Sequence, residues 1–245
     1  MYVKRHSITS YGGNNLIKLT GFEQVVTDGN ATYYAIDYYN SRIVKFNQYW
    51  EYQNYQNLPF AYSYSTKFVN GSFYFTSHDY FYKTDSNFEM IDSYRMKGAS
   101  YGRFIFDSIS STFYVSSFSF ERIDIFNTSC SFLQSIEISV QSYGIALFKG
   151  MIYTSGVRTS LVSVIKNGKV TKVFRTIGDG IVAITVDSFG YLAISCIASK
   201  VISVYDSNGN FMNTQITSSQ YPGITAIDSN GRYIIVTSDS LDIYY

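Results

Sequence analysis

The chain of 245 residues is poor in charge, proline and cysteine. Charged residues make up 15% of it, and 19 basic against 18 acidic residues leave a net charge of +1. A protein that holds a nucleic acid backbone carries a surplus of Lys and Arg, so nucleic acid is not an expected partner. No apolar run approaches the roughly 20 residues of a membrane helix, so membrane insertion is not expected either.

What the chain has in abundance is short strand patterns separated by turn residues. In residues 181–217 an apolar run ends at Asp187, and three further strand patterns follow across turns at 188–190, 198–200 and 206–209. Residues that end the first strand of such a unit recur about every 40 positions, at Asp28, Asn70, Asp107, Lys149, Asp187 and Asp228. Four-stranded units at this period are typical of a β-propeller.

The sequence therefore predicts an all-β protein with a single domain at 1–245, a six-bladed β-propeller with four-stranded antiparallel blades. The blade units are expected at 22–54, 64–95, 101–138, 143–175, 181–217 and 221–245 plus 1–9. The last unit contains only three strand patterns of its own, so the N-terminal strand, Val3 to Ile8, is expected to close the last blade. Joining both chain ends removes an open sheet edge.

Several segments resemble the NHL-repeat family of propellers. Residues 39–46, YNSRIVKF, are the closest match to the segment for which that family is named, with Ser41 at its His position. Residues 223–228 and 201–209 match other parts of the repeat. The resemblance covers the whole chain by period and the first, fifth and sixth units by motif. The resemblance implies the fold but not the function, because propellers perform unrelated functions on one scaffold.

The residues expected around the central channel supply few groups for catalysis. Glu23 is the one carboxylate there, and the chain has two histidines, His6 and His78. Calcium takes about six or more oxygen ligands and zinc about three or four protein ligands, so neither metal nor cofactor is expected. Adjacent His78 and Asp79 point to opposite faces of a strand and are interpreted as a polar turn. A channel-metal-dependent hydrolase or lyase is the least supported alternative.

Aromatic residues recur near the expected channel mouth. The candidate binding residues are Tyr64, Tyr101, Arg103 and Tyr143, and Phe22, Lys67 and Glu23 fall at the same level. Tyrosine combines an apolar ring with a hydrogen-bonding tip and suits an interface. The alternative is that these rings wedge between blades as packing. The predicted function is a non-enzymatic interaction module that binds protein or glycan through a loop face.

An alternative function follows from the 25 tyrosines and 19 phenylalanines. Outer-strand aromatics such as Trp50 and Tyr52 are expected to be partly exposed, and exposed apolar surface indicates a partner or self-association. The chain is then a structural or adhesive subunit that assembles with itself through a Tyr/Phe-rich surface. The competing interpretation, held as equal, is that Tyr and Ser replace charged residues on a neutral surface.

Three Asn-x-Ser/Thr sequons fall at expected hairpin turns, and Asn30, Asn70 and Asn127 are candidate glycosylation sites. Chance alone accounts for a similar number of sequons. Cys130 and Cys196 are expected in non-adjacent blades, too far apart for a disulfide, and are interpreted as free thiols. Free thiols favour a reducing compartment, whereas the low-charge, Ser/Thr/Tyr-rich surface slightly favours an extracellular one.

Overall fold

The backbone is described, in a computed structural model, for residues 4–8, 10–11, 17–18, 22–28, 32–95, 100–138, 140–216, 222–227, 233–237 and 241–244. Side chains are described for 24–28, 32–95, 100–138 and 140–213. Every regular element within these ranges is a β-strand, as expected from segments rich in Val, Ile, Tyr and Phe. The described residues contain no helix long and apolar enough to cross a membrane.

Five blades are each built from four consecutive antiparallel strands. Blade 1 contains β4 (Phe22–Thr27), β5 (Tyr33–Asp37), β6 (Arg42–Phe46) and β7 (Tyr52–Asn57). Blade 2 contains β8 (Ser63–Val69), β9 (Ser72–Ser77), β10 (Tyr80–Thr84) and β11 (Met90–Arg95). Blade 3 contains β12 (Tyr101–Asp107), β13 (Thr112–Ser117), β14 (Arg122–Asn127) and β15 (Phe132–Glu137). Blade 4 contains β16 (Gly144–Phe148), β17 (Met151–Ser155), β18 (Leu161–Lys166) and β19 (Lys169–Arg175). Blade 5 contains β20 (Ile181–Val186), β21 (Leu192–Cys196), β22 (Val201–Tyr205) and β23 (Phe211–Ile216).

The two ends of the chain meet in one further sheet. It contains β24 (Pro222–Ile227), β25 (Tyr233–Thr237), β26 (Leu241–Tyr244) and the N-terminal β1 (Lys4–Ile8). β1 pairs antiparallel with β26, and β24 lies beside both β20 and β4. Two short strands, β2 (Ser10–Tyr11) and β3 (Ile17–Lys18), pair with each other in a hairpin that was not predicted.

The predicted all-β propeller with four-stranded antiparallel blades is confirmed, but the predicted count of six blades is not. The structure shows five blades of consecutive strands. The physical reason lies in the last unit, which supplies only three strands of its own and takes its fourth from the opposite end of the chain. The side chains of that sheet lie outside the described residues.

The core lies between neighbouring blades and changes in character around the ring. Aromatic rings dominate between blades 1 and 2 and between blades 2 and 3, at Phe60, Phe73, Phe75, Phe88, Phe81, Phe104, Phe113 and Phe126. Isoleucines fill the space between blades 3 and 4, at Ile105, Ile123, Ile145, Ile152 and Ile165. Much of the phenylalanine therefore serves as packing between faces of adjacent sheets.

One turn recurs between the third and fourth strands of blades 1, 2, 3 and 5. Its first residue is Asn47, Asp85, Asn127 or Asp206, and the side-chain Oδ1 accepts hydrogen bonds from the backbone N–H groups two and four positions later. The fourth residue has a positive φ, at Trp50, Phe88, Cys130 and Gly209. Local Asx hydrogen bonds of this kind compete well with regular structure at turns.

Trp50 corrects a prediction about the surface. Its side chain was expected to be partly exposed on an outer strand, but it is 5% exposed. The turn holds it at φ 66°, which directs the ring onto Tyr33 at a centroid distance of 4.1 Å. Tyr52, named with it, is half-buried.

Buried hydroxyl groups of second strands bond main-chain carbonyl oxygens at the starts of innermost strands. Thr76 Oγ1 of blade 2 donates to the carbonyl oxygen of Gly102 in blade 3 at 2.6 Å. Ser116 Oγ of blade 3 donates to the carbonyl oxygens of Arg103 at 2.7 Å and of Tyr143 at 2.9 Å. These bonds supply donors to main-chain carbonyl oxygens near the irregular starts of the inner strands, and they use Ser and Thr instead of charged residues.

Candidate functional site

A cavity of about 410 Å³ occupies the centre of the propeller and is lined by the innermost strands of blades 1 to 5. Apolar residues outnumber polar ones in its lining, and they include Val25, Val26, Phe68, Phe104, Phe106, Ile145, Leu147, Ile184 and Val186. Lys67 and Arg103 are the charged residues among its described lining. The cavity runs from Arg103 towards the ends of β4 and β20, because Thr27 and Val186 also line it.

Arg103 crosses the channel and ties several blades together. It is 6% exposed, and its Nη1 donates to the Tyr64 carbonyl oxygen at 2.9 Å while its Nε donates to the Val182 carbonyl oxygen at 3.0 Å. Its guanidinium carbon lies 5.3 Å from the ring centroid of Tyr143. Arg103 was predicted to bind a partner at a loop face, but the structure places it inside the channel, where it is held by main-chain carbonyls.

Tyr101 is the second correction among the predicted binding residues. Its side chain is 1% exposed and packs in the core between blades 2 and 3. The hydroxyl donates to Asp124 Oδ2 at 3.4 Å, and burial, followed by the charge of Asp124, raises the pKa of Tyr101. A ring enclosed in this way does not reach a partner, so packing, which was the alternative for these rings, is its role.

Tyr64 and Tyr143 keep part of their surface accessible. The ring of Tyr143 contacts Phe118 edge-on at 5.9 Å and lies under Arg103. The ring of Tyr64 lies 5.6 Å from Tyr38 and 6.0 Å from His78. The structure therefore brings Arg103 together with the Tyr64 carbonyl oxygen and the Tyr143 ring, and places Tyr101 apart from them in the core.

That cluster, here called the tyrosine face, consists of Tyr38, Tyr39, Tyr62, Tyr64 and His78. Tyr38 contacts Tyr39 at 5.2 Å and Tyr62 at 5.3 Å, and Tyr62 contacts His78 at 5.5 Å. Tyr39 is 68% exposed and Tyr62 is 41% exposed. Exposed aromatic rings in mutual contact form the kind of apolar patch that marks an interaction site.

The topology explains why these residues meet. Tyr38 and Tyr39 lie in the turn between β5 and β6, His78 lies in the turn between β9 and β10, and Tyr62 precedes β8. In antiparallel blades, turns between second and third strands lie at the same end as the connections between blades. Sequence analysis did not identify Tyr62 as a candidate binding residue. The pair Tyr38-Tyr39 before Asn40 was the signal in the sequence that indicated exposed rings at this end of the blades.

The interpretation of His78 and Asp79 as a polar turn is confirmed. His78 has φ 48° in that turn, and Asp79 Oδ2 accepts a hydrogen bond from Arg95 Nε at 2.8 Å. This bond lowers the pKa of Asp79. Within the described part of the chain, no group of three or more His, Cys, Asp or Glu residues is arranged to hold a metal ion.

The candidate glycosylation sites differ in their surroundings. Asn70 is exposed in an Asn-Gly hairpin turn, with φ 50° at Asn70 and 79° at Gly71. Asn127 is half-buried, and its Oδ1 accepts hydrogen bonds from the backbone N–H groups of Ser129 and Ser131, each at 2.9 Å. Asn30 lies outside the described residues. Asn70 and Asn127 lie at the opposite end of the blades from the tyrosine face, and glycosylation stays a prediction.

Both cysteines are free, as interpreted from the sequence, and both are buried. Burial raises the pKa of the Cys130 thiol to about 12 and that of the Cys196 thiol to about 11. Cys130 occupies the positive-φ position of the recurring turn in blade 3, with φ 52°. Cys196 ends β21 in the core between blades 4 and 5.

Comparison with known proteins shows the class of fold. The chain is similar to the WD40 β-propeller domain of Doa1, with 10% identity and a TM-score of 0.75 over 100% of this chain and 97% of that one. It is also similar to a gluconolactonase of Xanthomonas campestris, with 13% identity and a TM-score of 0.77 over 92% of this chain and 86% of that one. No protein-family model and no curated protein matches the sequence, so the NHL-repeat family is not confirmed. The chain is a β-propeller.

Proposed function

We propose that the protein is a non-enzymatic interaction module that binds a protein partner through the tyrosine face. The observation that carries this proposal is the contact network of Tyr38, Tyr39, Tyr62, Tyr64 and His78 at one loop end. Tyrosine is enriched at protein interfaces because it buries a large area at a low cost in side-chain entropy.

The geometry of the face favours a protein surface or peptide. Tyr39 and Tyr62 project from two different connections, at 68% and 41% exposure, while Tyr38 and Tyr64 beneath them are half-buried. Exposed anchors over a packed base resemble the rigid centre of an interface, where a few aromatic residues carry most of the binding free energy. A glycan is the alternative ligand, since sugars also stack on tyrosine rings.

A matched pair of double variants tests the proposal. Y39S/Y62S removes the exposed rings of the tyrosine face, and I109S/F189S removes apolar side chains that are 93% and 83% exposed at the opposite end. Each protein is used to capture partners from its native source, and bound proteins are quantified by mass spectrometry. We expect proteins captured by the wild type and by I109S/F189S to be lost with Y39S/Y62S. Equal capture by both variants, or capture of glycan alone, would contradict the proposal.

We propose further that the sheet of the chain ends is the sixth blade. β24 lies beside β20 and β4, and β1 supplies the outer strand opposite β26. Deleting residues 1–8 exposes the edge of β26, and open edges promote association. We expect this deletion to lower the urea midpoint of unfolding and to produce oligomers in sedimentation. An unchanged midpoint with a monomeric deletion variant would show that β1 does not close the ring.

The enzymatic alternative has a direct test, because one structural neighbour is a gluconolactonase. Purified protein is assayed for hydrolysis of glucono-δ-lactone with and without added Ca²⁺ or Zn²⁺. We expect the rate to equal that of buffer containing the same metal. A metal-dependent rate proportional to protein concentration would replace the proposal with a hydrolase.

Self-assembly is the second candidate function, and the outermost strands favour it. They expose apolar side chains at Met90, Ile91, Leu133, Val173 and Met212. Such patches pair edge strands of neighbouring molecules. Sedimentation velocity over a wide range of concentration tests it, since assembly predicts a sedimentation coefficient that rises with concentration and the tyrosine-face proposal predicts a constant one.

A further inference from the structure

Lys67 occupies a position that is apolar in every other blade of consecutive strands. This position is the second residue before the last paired residue of the innermost strand. The other four blades have Val25, Ile105, Ala146 and Ile184 there. Those four side chains are all buried. All five positions line the central cavity, so blade 2 directs an amine into a space that its counterparts line with hydrocarbon.

No counter-charge offsets this amine within the described residues. The Lys67 ammonium has no hydrogen bond or ion pair to any of them, and burial lowers the pKa of Lys67. The second cation of the wall is Arg103, and the described lining contains no Asp or Glu. Holding a half-buried cation in this cavity without an anion costs free energy, so the site favours an incoming negative charge.

The rest of the cavity wall indicates the kind of chemical group that carries this negative charge. Besides the cations, most of the lining residues are apolar, and Oε1 of the lining amide Gln24 accepts hydrogen bonds from Ser65 Oγ and from Thr66 N at 2.8 Å each. A volume of about 410 Å³ lies in the usual range for small-molecule sites.

We propose that the central cavity binds a small organic carboxylate. Its carboxylate group pairs with the Lys67 ammonium, and its apolar part contacts Val26, Ile145 and Leu147. This site is separate from the tyrosine face, because the cavity extends from Arg103 towards the opposite ends of the inner strands. Occupation of one site therefore leaves the other accessible.

Calorimetric titration with hexanoate and its neutral isostere hexanamide tests the proposal. The variants are Lys67→Met, which keeps an unbranched side chain of similar size, and Lys45→Met, which removes a half-buried lysine of β6 that lies over the Tyr34 ring. We expect hexanoate to bind the wild type and Lys45→Met alike, and to bind Lys67→Met about tenfold or more weakly, as for loss of a charge-assisted hydrogen bond. Hexanamide is expected to bind the wild type as weakly as hexanoate binds Lys67→Met.

A second measurement uses only the wild-type protein and therefore does not depend on whether a variant folds. In wild-type protein with ¹³C-labelled lysine, hexanoate is expected to shift the Cε resonance that titrates as Lys67 and to raise its pKa, because the bound anion stabilises the protonated amine. Equal affinity of Lys67→Met and wild type for hexanoate, equal affinity of the wild type for hexanamide, or no binding at all would overturn the proposal.

Discussion

Tyrosine serves two opposite purposes in this molecule. Tyr101 is 1% exposed and fills the core between blades 2 and 3, whereas Tyr39 is 68% exposed at the tyrosine face. Both are followed by polar or small residues in the sequence, and nothing in their immediate neighbours separates them. The difference arises from position in the blade, since Tyr101 starts an innermost strand and Tyr39 lies in a turn.

The two thiols are expected to resist chemical modification in the folded protein. Burial raises the pKa of Cys130 to about 12 and of Cys196 to about 11, and the thiolate is the reactive form. At mildly alkaline pH, iodoacetamide should leave both unmodified in native protein and modify both in guanidinium chloride, as read by intact mass. Rapid modification of either thiol without denaturant would show that its blade opens or that its burial is incomplete.

The buried carboxylate of blade 1 is expected to be important for stability. Asp37 is 0% exposed, and its Oδ2 lies 2.8 Å from Arg42 Nη2 while Asn40 Nδ2 donates to both carboxylate oxygens. Asp37→Ala leaves Arg42 without this partner, which typically costs about 3 kcal/mol or more. Urea denaturation measures the loss. Asp92→Ala, at an exposed position of β11, is the control and should stay within about 0.5 kcal/mol of wild type.

At the scale of elements, the recurring turn shows why part of the fold was visible in the sequence. Asp206-Ser207-Asn208-Gly209 is readily recognised, because glycine occupies the positive-φ position. In blades 1 to 3 the same position holds Trp50, Phe88 and Cys130. These residue types are not typical of a turn, so the turn is harder to recognise in the sequence. Glycine fits blade 5 for a second reason, since a Cβ at Gly209 would lie 2.6 Å from the ring of Phe174.

The hydroxyl links between blades give an element-scale prediction. Thr76→Val preserves the shape of the side chain but removes the donor to the Gly102 carbonyl oxygen. We expect the free energy of unfolding to fall by about 1 kcal/mol, the usual contribution of one hydrogen bond. Thr112→Val, at a half-buried hydroxyl that bonds the exposed Ser110, is the control. Equal effects of the two substitutions would show that the link between blades adds nothing.

At the scale of the whole molecule, the repeat period was enough to predict a β-propeller of four-stranded blades, although not the number of blades. Strand ends recurring about every 40 residues specify four-stranded units because each unit is one local sheet. The site was harder to predict, since Tyr38, Tyr62 and His78 meet only when two blades are packed together. Arg103 was placed near the channel from its register, but its bonds to Tyr64 and Val182 depend on blades distant in sequence.

The two proposed binding sites lie towards opposite ends of the propeller axis. The tyrosine face lies at the end formed by the connections between blades, and the central cavity extends towards the other end. The low charge of the chain is consistent with both, because hydroxyls join the blades, tyrosines form the exposed face and few ion pairs are needed. A partner and a small anion are thus expected to bind independently.

Photo-crosslinking from the tyrosine face tests the proposed function most directly. A benzophenone amino acid replaces Tyr39 in one protein and Ile109, which is 93% exposed at the opposite end, in another. After irradiation in extract of the native source, we predict a discrete protein adduct from position 39 and none from position 109. Adducts from position 109 alone, the same adducts from both positions, or none from position 39 would contradict binding through the tyrosine face.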